Sequence, residues 1–492
     1  MKTQSVRGRL DPPADERYQL LILGGGTVGL AAARYAAQLG ARVAVVEPAP
    51  LGGDRRRYVL PAARLIRTLQ ASGDSGVTMG PADTVAADEA PLSDVAAAEL
   101  LDLGVDVFVG HGRFIAGDAV EVGDQRVHFR RALIATGGRP IVPPVPGLEE
   151  VGYRTPAELL ELDRPPARLA ILGTGGRACE LAQAMARLGH EVHLVGSGQR
   201  LLPDCDAEAA RQVDTALRYE KIGLHLATEI RAVQPGTAGG GVLEIEASTP
   251  SGGDTLTLQV DDIVLAAGQR PNVERLGLEA AGVDYDLSGI EVGRRLRTSN
   301  RRIFAAGGVI AGSGLEHIDS GGRLAVRNAL LFRRLVHRRP VAVRAVLTTP
   351  EVAWVGLEAA EATRRPAVDT LTVPVTQPVA RPAEPAADAA RPASLLRLHL
   401  GRYSGRILGG TLVAPRASEL IAPLALAVHR KMRLRHFAAG LVPYPADGNV
   451  YRRAAAAWQE RRVSPAKALL RFFVRLSSWP PRRPFAPDDP DG

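Results

Sequence analysis

Three groups of residues in this chain have types and spacings suited to chemistry. The first is Gly24-Gly25-Gly26-Thr27-Val28-Gly29, which follows the apolar run Tyr18-Gln19-Leu20-Leu21-Ile22-Leu23. In such a turn Gly24 permits the tight bend and Gly26 lets the backbone approach a pyrophosphate. Gly29 lets helix and strand pack closely. The N-terminus of the following helix then favours phosphate charge. Glu47, about 20 residues on, can accept hydrogen bonds from ribose hydroxyls. The second group is Gly173, Gly175 and Ala178 within Gly173-Thr174-Gly175-Gly176-Arg177-Ala178, again after an apolar strand. The third is cysteine, present only as Cys179 and Cys205. One follows the second glycine motif in a helix and the other sits in a loop beyond the next strand. Both are expected to be buried or incidental thiols.

These motifs need elements to position them. The run over 18–23, helical spacing from Leu30 to Leu39 and an apolar strand over 41–46 predict a β-α-β unit with a parallel sheet. The pattern returns at Leu169-Ala170-Ile171-Leu172, with a helix to Leu188 and a strand over 191–195. Two such folds predict two nucleotide sites. Residues 140–146 form a Pro-rich link, and 378–392 a Pro- and Ala-rich loop or insertion. From Leu395 strands resume, with Ser404-Gly405-Arg406 as a turn and a helix over 417–430. The Pro- and Asp-rich tail after Trp479 is expected to be disordered.

A chain of 492 residues should form about two to four domains. It contains no apolar run of about eighteen residues, which argues against a spanning helix. The polar N-terminus to Arg17 argues against a secretory signal. Two cysteines make no disulfide framework, so a cytoplasmic setting is expected. The net charge is +8, carried almost wholly by arginine; Lys2, Lys221, Lys431 and Lys467 are the lysines. No nucleic-acid-binding motif accompanies that charge, so a solvated Arg-rich surface is expected and no nucleic-acid partner. No metal site is expected. The segment 467–476 alternates apolar residues with Lys and Arg. It could make a peripheral contact with an anionic membrane, or be a terminal helix docked on its own domain.

Further motifs follow in order: Ala135-Thr136-Gly137-Gly138-Arg139-Pro140, Leu265 to Asn272 (LAAGQRPN), Ile303-Phe304-Ala305-Ala306-Gly307, and Thr349 to Gly356 (TPEVAWVG). With these, the chain from about Tyr18 to Ala457 resembles the pyridine nucleotide-disulfide oxidoreductases. This is the flavoprotein family of dihydrolipoamide dehydrogenase, glutathione reductase and mercuric reductase. Glu180 to Gly189 and Val442-Pro443-Tyr444-Pro445 look most like the mercuric reductase branch. The resemblance implies an α/β fold: two nested Rossmann-like dinucleotide-binding domains plus a C-terminal α+β dimerisation domain. It places Gly52, Gly53, Gly112, Ala135, Thr136, Gly137 and Gly308 near FAD, and Leu315 and His317 at the flavin pyrimidine end. His317 could instead cap the following helix. Glu180 falls close to the nicotinamide, and Gly268 in the segment that closes the second nucleotide domain.

The departures from the family carry as much information. The family's Cys-x4-Cys, which should follow Gly52-Gly53, is replaced with one residue deleted by Asp54-Arg55-Arg56-Arg57-Tyr58-Val59. The lysine often found near flavin N5 is missing from Pro61-Ala62-Ala63. Gly308 stands where the family has the acid that binds the ribityl chain; losing that bond would cost ~1.5–3 kcal/mol of FAD binding. The family's acid/base His-Glu pair falls on Tyr444 and Asn449. Arg55, Arg56 and Arg57 could stabilise anionic reduced flavin or grip an anionic substrate; the alternative is a solvated loop turned outward. The strand-end position that selects NAD by an acid is Gly196, and Arg200 nearby could meet a 2′-phosphate.

No side chain stands out as a catalytic acid or base. The expected function is a FAD-dependent, NAD(P)H-linked oxidoreductase without dithiol chemistry, passing electrons to an unknown acceptor. The alternative is an inactive homologue serving as a dimeric binding or regulatory module. The expected cofactors are FAD and NAD or NADP, and the expected assembly is a homodimer. The expected domains are a flexible N-terminus (1–17), FAD-binding (18–150 and 290–338), NAD(P)-binding (151–289), dimerisation (339–460), and a basic helix with a disordered tail (461–492).

Overall fold

The computed structural model describes residues 7–13, 17–53, 55–72, 92–236, 243–248, 255–311, 318–331, 341–375, 394–440, 446–461 and 473–474. The fold is α/β, built on three main sheets. In the first, Tyr18–Leu23 lies between Val43–Glu47 and Gln125–Ile134, parallel to both. Asp106–Val109 extends one side, and Ile303–Ala305 also runs parallel to Gln125–Ile134. The central strand is apolar almost throughout because both of its faces are covered. The Thr27–Gln38 helix buries Val28, Gly29, Leu30, Ala32, Ala33 and Ala36, and the glycine and three alanines let it sit close to the strands.

The second sheet repeats the plan. Four parallel strands run in the order Gly223–His225, Glu191–Val195, Arg168–Leu172 and Asp262–Leu265. The Gly176–Arg187 helix crosses between two of them, and a three-stranded antiparallel meander lies alongside. The short strands Gly138–Pro140 and Gln269–Pro271 pair antiparallel and tie the two units together.

The third sheet has five antiparallel strands, from Val343–Val346 to Val368–Pro374. Leu396, Leu398 and Leu400 share a core with Tyr451, Ala454 and Trp458 of the Asn449–Arg461 helix. Val346, Val352, Leu395 and Val413 instead share a core with Cys179, Leu181 and Val213 of the second unit. That same core takes in Ala62, Leu65, Ile66 and Leu69 of the Leu60–Ser72 helix. The helix after Gly52-Gly53 is therefore wedged against both other units.

Two local expectations are corrected. The helix expected over 417–430 is two helices, Ala417–Leu420 and Ala422–His429, broken at Ile421. Pro423, which has no N–H to donate, stands in the first turn of the second. The stretch Arg55–Val59 is a π-helical turn leading directly into Leu60–Ser72, rather than a loop. No helix among the described residues is long and apolar enough to cross a membrane. Of the basic segment 467–476, Phe473 and Val474 alone are described, and both are exposed.

Candidate functional site

The first glycine turn separates three roles by geometry. Gly24 has φ +107°, and a Cβ there would lie 2.4 Å from the Ala135 carbonyl oxygen. A Cβ on Gly29 would lie 1.8 Å from the Gly24 oxygen, so helix and turn close only on glycine. A Cβ on Gly26 would meet nothing within 4 Å. That open space lies at the N-terminus of the Thr27–Gln38 helix, where no side chain caps the amides. It is the setting for a pyrophosphate.

The surrounding residues complete the turn. Gly52 donates its N–H to the Gly25 carbonyl at 2.9 Å. Gly53, at φ +56°, brings its side-chain-free face to the Gly26 Cα. Glu47 accepts from the Gly25 N–H at 2.6 Å and from the Ala49 N–H at 3.2 Å. Burial raises its carboxyl pKa, and the two amides oppose that. Its remaining lone pairs can take ribose hydroxyls. Gly112 lies behind the turn, against the sheet. A Cβ there would press on Val46, Leu23 and Val120, so it serves sheet packing behind the turn.

Thr136 and Gly137 are fixed from the other unit. Thr136 Oγ1 donates to the Asn272 carbonyl and Asn272 Nδ2 donates to the Thr136 carbonyl, both at 2.9 Å. Arg139 grips Glu274 bidentately at 2.7 and 2.8 Å, and this holds the Glu274 carboxyl well below the usual range. Gly308 sits beside Gly137 and Gly138, and a Cβ on it would be 3.7–3.8 Å from their backbone. A side chain therefore fits there, although the sequence supplies none. Leu315, His317 and Tyr444 lie outside the described residues.

The second turn repeats the first. Gly173 has φ +140°, and a Cβ would lie 2.3 Å from the Ala266 carbonyl oxygen. Gly175 faces open space, and Ala178 is buried. Gly268, at φ +119°, accepts from the Ile141 N–H at 3.1 Å. A Cβ on Gly196 would lie 2.6 Å from Thr174 Cγ2, so an acid cannot enter there unless Thr174 moves. Arg200 does not point at a phosphate site. Its guanidinium donates to the carbonyls of Leu202, at 3.3 Å, and Cys205, at 3.0 Å, as well as to Pro203. Exposed Glu229 also lines the cavity, brought near the strand end by the Thr228 N–H to Gly196 carbonyl bond of 3.0 Å.

The second turn opens on a cavity of about 1450 Å³ that extends to the first unit. Its wall takes in Gly138 and Gly308 from the first unit and Gly173 and Gly175 from the second. Tyr58 and Glu180 also line it. Glu180 is half-buried at the cavity wall, and desolvation there pushes its carboxyl up to about 7. The residues present fit a dinucleotide at both turns: each has a tight glycine bend, an open approach and uncapped helix amides.

Comparison with known proteins decides the family. The model of the pyridine nucleotide-disulphide oxidoreductases matches residues 18–330, and that of their dimerisation domain matches 342–455. This chain belongs to that family. It is 30% identical to a mercuric reductase of Staphylococcus aureus over 90% of this chain and 83% of that one. It is 27% identical to a glutathione reductase of Nostoc sp. over 88% of this chain and 98% of that one. The solved HOCl-induced flavoprotein disulfide reductase RclA of Escherichia coli, as its Cu(II) complex, has the same fold. The TM-score is 0.78 at 23% identity, covering 90% of this chain and 99% of that one. Members of the family use FAD and NAD(P)H.

The helix after Gly52-Gly53 presents Tyr58, Val59, Ala62, Ala63 and Ile66 to the cavity, so that wall is largely apolar. The side chains of Arg55 and Arg56 lie outside the described ones; Arg57 is half exposed and pairs with Glu161 at 3.6 Å. Cys179 and Cys205 are both buried in the core shared with the third sheet. Burial pushes both thiols up, Cys205 to about 12, so neither is a ready thiolate at neutral pH. Among the described residues no group of three or more His, Cys, Asp or Glu could hold a metal.

Residues not singled out in the sequence position the helix. Arg67 donates to Glu351 at 2.5 Å and to Ser418 Oγ at 3.0 Å, and Gln70 donates to the Leu347 carbonyl at 3.3 Å. No local motif marks these long-range partners.

Proposed function

We propose that this chain is a FAD-dependent, NAD(P)H-linked oxidoreductase that works without a redox dithiol. The observation that carries this reading is the pair of matching glycine turns, where a Cβ on Gly24 or Gly173 would lie 2.4 or 2.3 Å from a carbonyl oxygen, with a cavity that runs from the second turn to Gly138 and Gly308 of the first unit and offers no ready thiolate. A bound flavin supplies hydride acceptance and onward electron transfer. The chain binds and orients: Gly26 and Gly175 leave room for the two pyrophosphates, and Glu47 takes a ribose. The apolar wall from Tyr58 to Ile66 favours an uncharged, flat acceptor of the quinone class over an anion or a metal ion.

A homodimer through the third sheet and its helices accords with the dimerisation-domain match. The units correspond on this reading to a FAD-binding domain over 18–150 and 290–338, an NAD(P)-binding domain over 151–289 and a dimerisation domain over 339–460. Gly308 favours a second reading, an inactive homologue, because it offers no carboxylate to the ribityl chain. Steady-state assays separate the two. The oxidoreductase reading expects NAD(P)H oxidation with a quinone and none with mercuric ion or disulfides. Reduction of mercuric ion or a disulfide contradicts it, as does inactivity with every acceptor.

A further inference from the structure

We propose that Glu180 is the proton donor of this site, its carboxylic acid supplying the proton that accompanies each hydride crossing the cavity. The proposal rests on the oxidoreductase reading above. Glu180 projects from the Gly176–Arg187 helix, directly behind the second glycine turn, into the cavity that also reaches Gly308 and Gly138. The Leu347 N–H donates to Oε1 at 2.8 Å and fixes the carboxyl. Oε2 makes no hydrogen bond to a described residue. Ala63 lines the same cavity on the facing helix, where the family resemblance would put a lysine, and no ion pair joins a cation to Glu180 among the described residues.

The neighbouring charges are otherwise committed or of mixed effect. Arg177 lies one turn back on the same helix and favours the carboxylate, whereas Glu351 opposes it. Arg67 is bonded to Glu351, Arg344 to Asp204, and Arg187 to Glu220, while Arg64 is exposed. Burial is the largest influence, and it leaves the carboxyl able to hold and release a proton near neutrality.

The step balances. The nicotinamide C–H bond breaks and its hydride leaves, oxidising the nicotinamide. The Glu180 O–H bond breaks and its proton joins the same two-electron acceptor. The acceptor, of the quinone class, gains two hydrogens in all. The Glu180 carboxylate then recovers a proton from water entering the open cavity.

The test uses the Glu180→Gln holoenzyme, which keeps an oxygen for the Leu347 N–H. Infrared spectra of the oxidised protein should show a carboxylic acid band that titrates near neutrality and is absent from the variant. Wild-type turnover with NADH and a quinone should fall as pH rises through about 7. The variant should be on the order of a hundredfold slower and flat across that limb. A variant matching the wild type in rate and pH profile, or a wild type without the titrating band, overturns the proposal while leaving the oxidoreductase reading intact. A wild-type flavin that NADH does not bleach overturns both.

Discussion

The Arg177 guanidinium lies over the Tyr58 ring, 4.9 Å from its centroid. Tyr58 lies in the π-helical turn that follows Gly52-Gly53, and Arg177 lies in the first turn of the helix behind the second glycine turn. The pair joins the two units at the cavity wall. A cation over an aromatic face contributes about 0.5–2 kcal/mol. Tyr58→Ala also removes a buried aromatic and should destabilise by about 3 kcal/mol. Tyr58→Phe should cost less than about 1 kcal/mol, because the Tyr58 hydroxyl is a long 3.5 Å from the Arg177 carbonyl. Thermal midpoints of the two variants measure the difference.

Gly26 and Gly29 should fail in different ways. Gly29→Ala drives a Cβ into the Gly24 oxygen and should lower the thermal midpoint by several degrees or abolish soluble protein. Gly26→Val points into open space, so the fold should persist while FAD binding weakens at least about tenfold. Circular dichroism and flavin fluorescence titration report the two effects separately.

Gly308→Asp should restore an acid at a position with room for it. One charge-assisted hydrogen bond, about 1.5–3 kcal/mol, corresponds to roughly ten- to hundredfold tighter FAD binding. Flavin titration of the apoprotein checks this. Unchanged affinity would mean that position 308 does not face the ribityl chain.

NADH should be preferred to NADPH. Arg200 spends its donors on loop carbonyls, and Glu229 adds negative charge to the cavity rim near the Gly196 strand end. The kcat/KM ratio should favour NADH by about tenfold or more, and Glu229→Gln should narrow that ratio.

Glu180 also ties stability to pH. Burial raises its carboxyl in the folded protein to about 7, above the usual carboxylate range. The protonated form is the one the fold favours. Its stabilising contribution is complete below the unfolded value and is lost as pH rises through about 7. Glu180→Gln should therefore raise the thermal midpoint at about pH 8 and leave it nearly unchanged at about pH 4.

The two glycine turns were legible in the sequence because each is a local device: a bend, an approach and a close packing contact within six residues. The sheets followed from apolar runs that both faces of a parallel sheet require. Three features were not legible. Arg55–Val59 becomes helical because its chain runs straight into a helix anchored through Tyr58, Arg67 and Gln70. Arg200 looked like a phosphate ligand by position, but nearby carbonyls capture it. The bond from Leu347 to Glu180 spans 167 residues, beyond any local pattern.

The absorption spectrum of the purified protein, before and after anaerobic NADH, tests the central claim most directly. The account predicts a yellow protein that bleaches to fully reduced flavin without a long-wavelength thiolate–flavin charge-transfer band. A colourless protein that does not take up added FAD, or a reduced state showing that band, would contradict it.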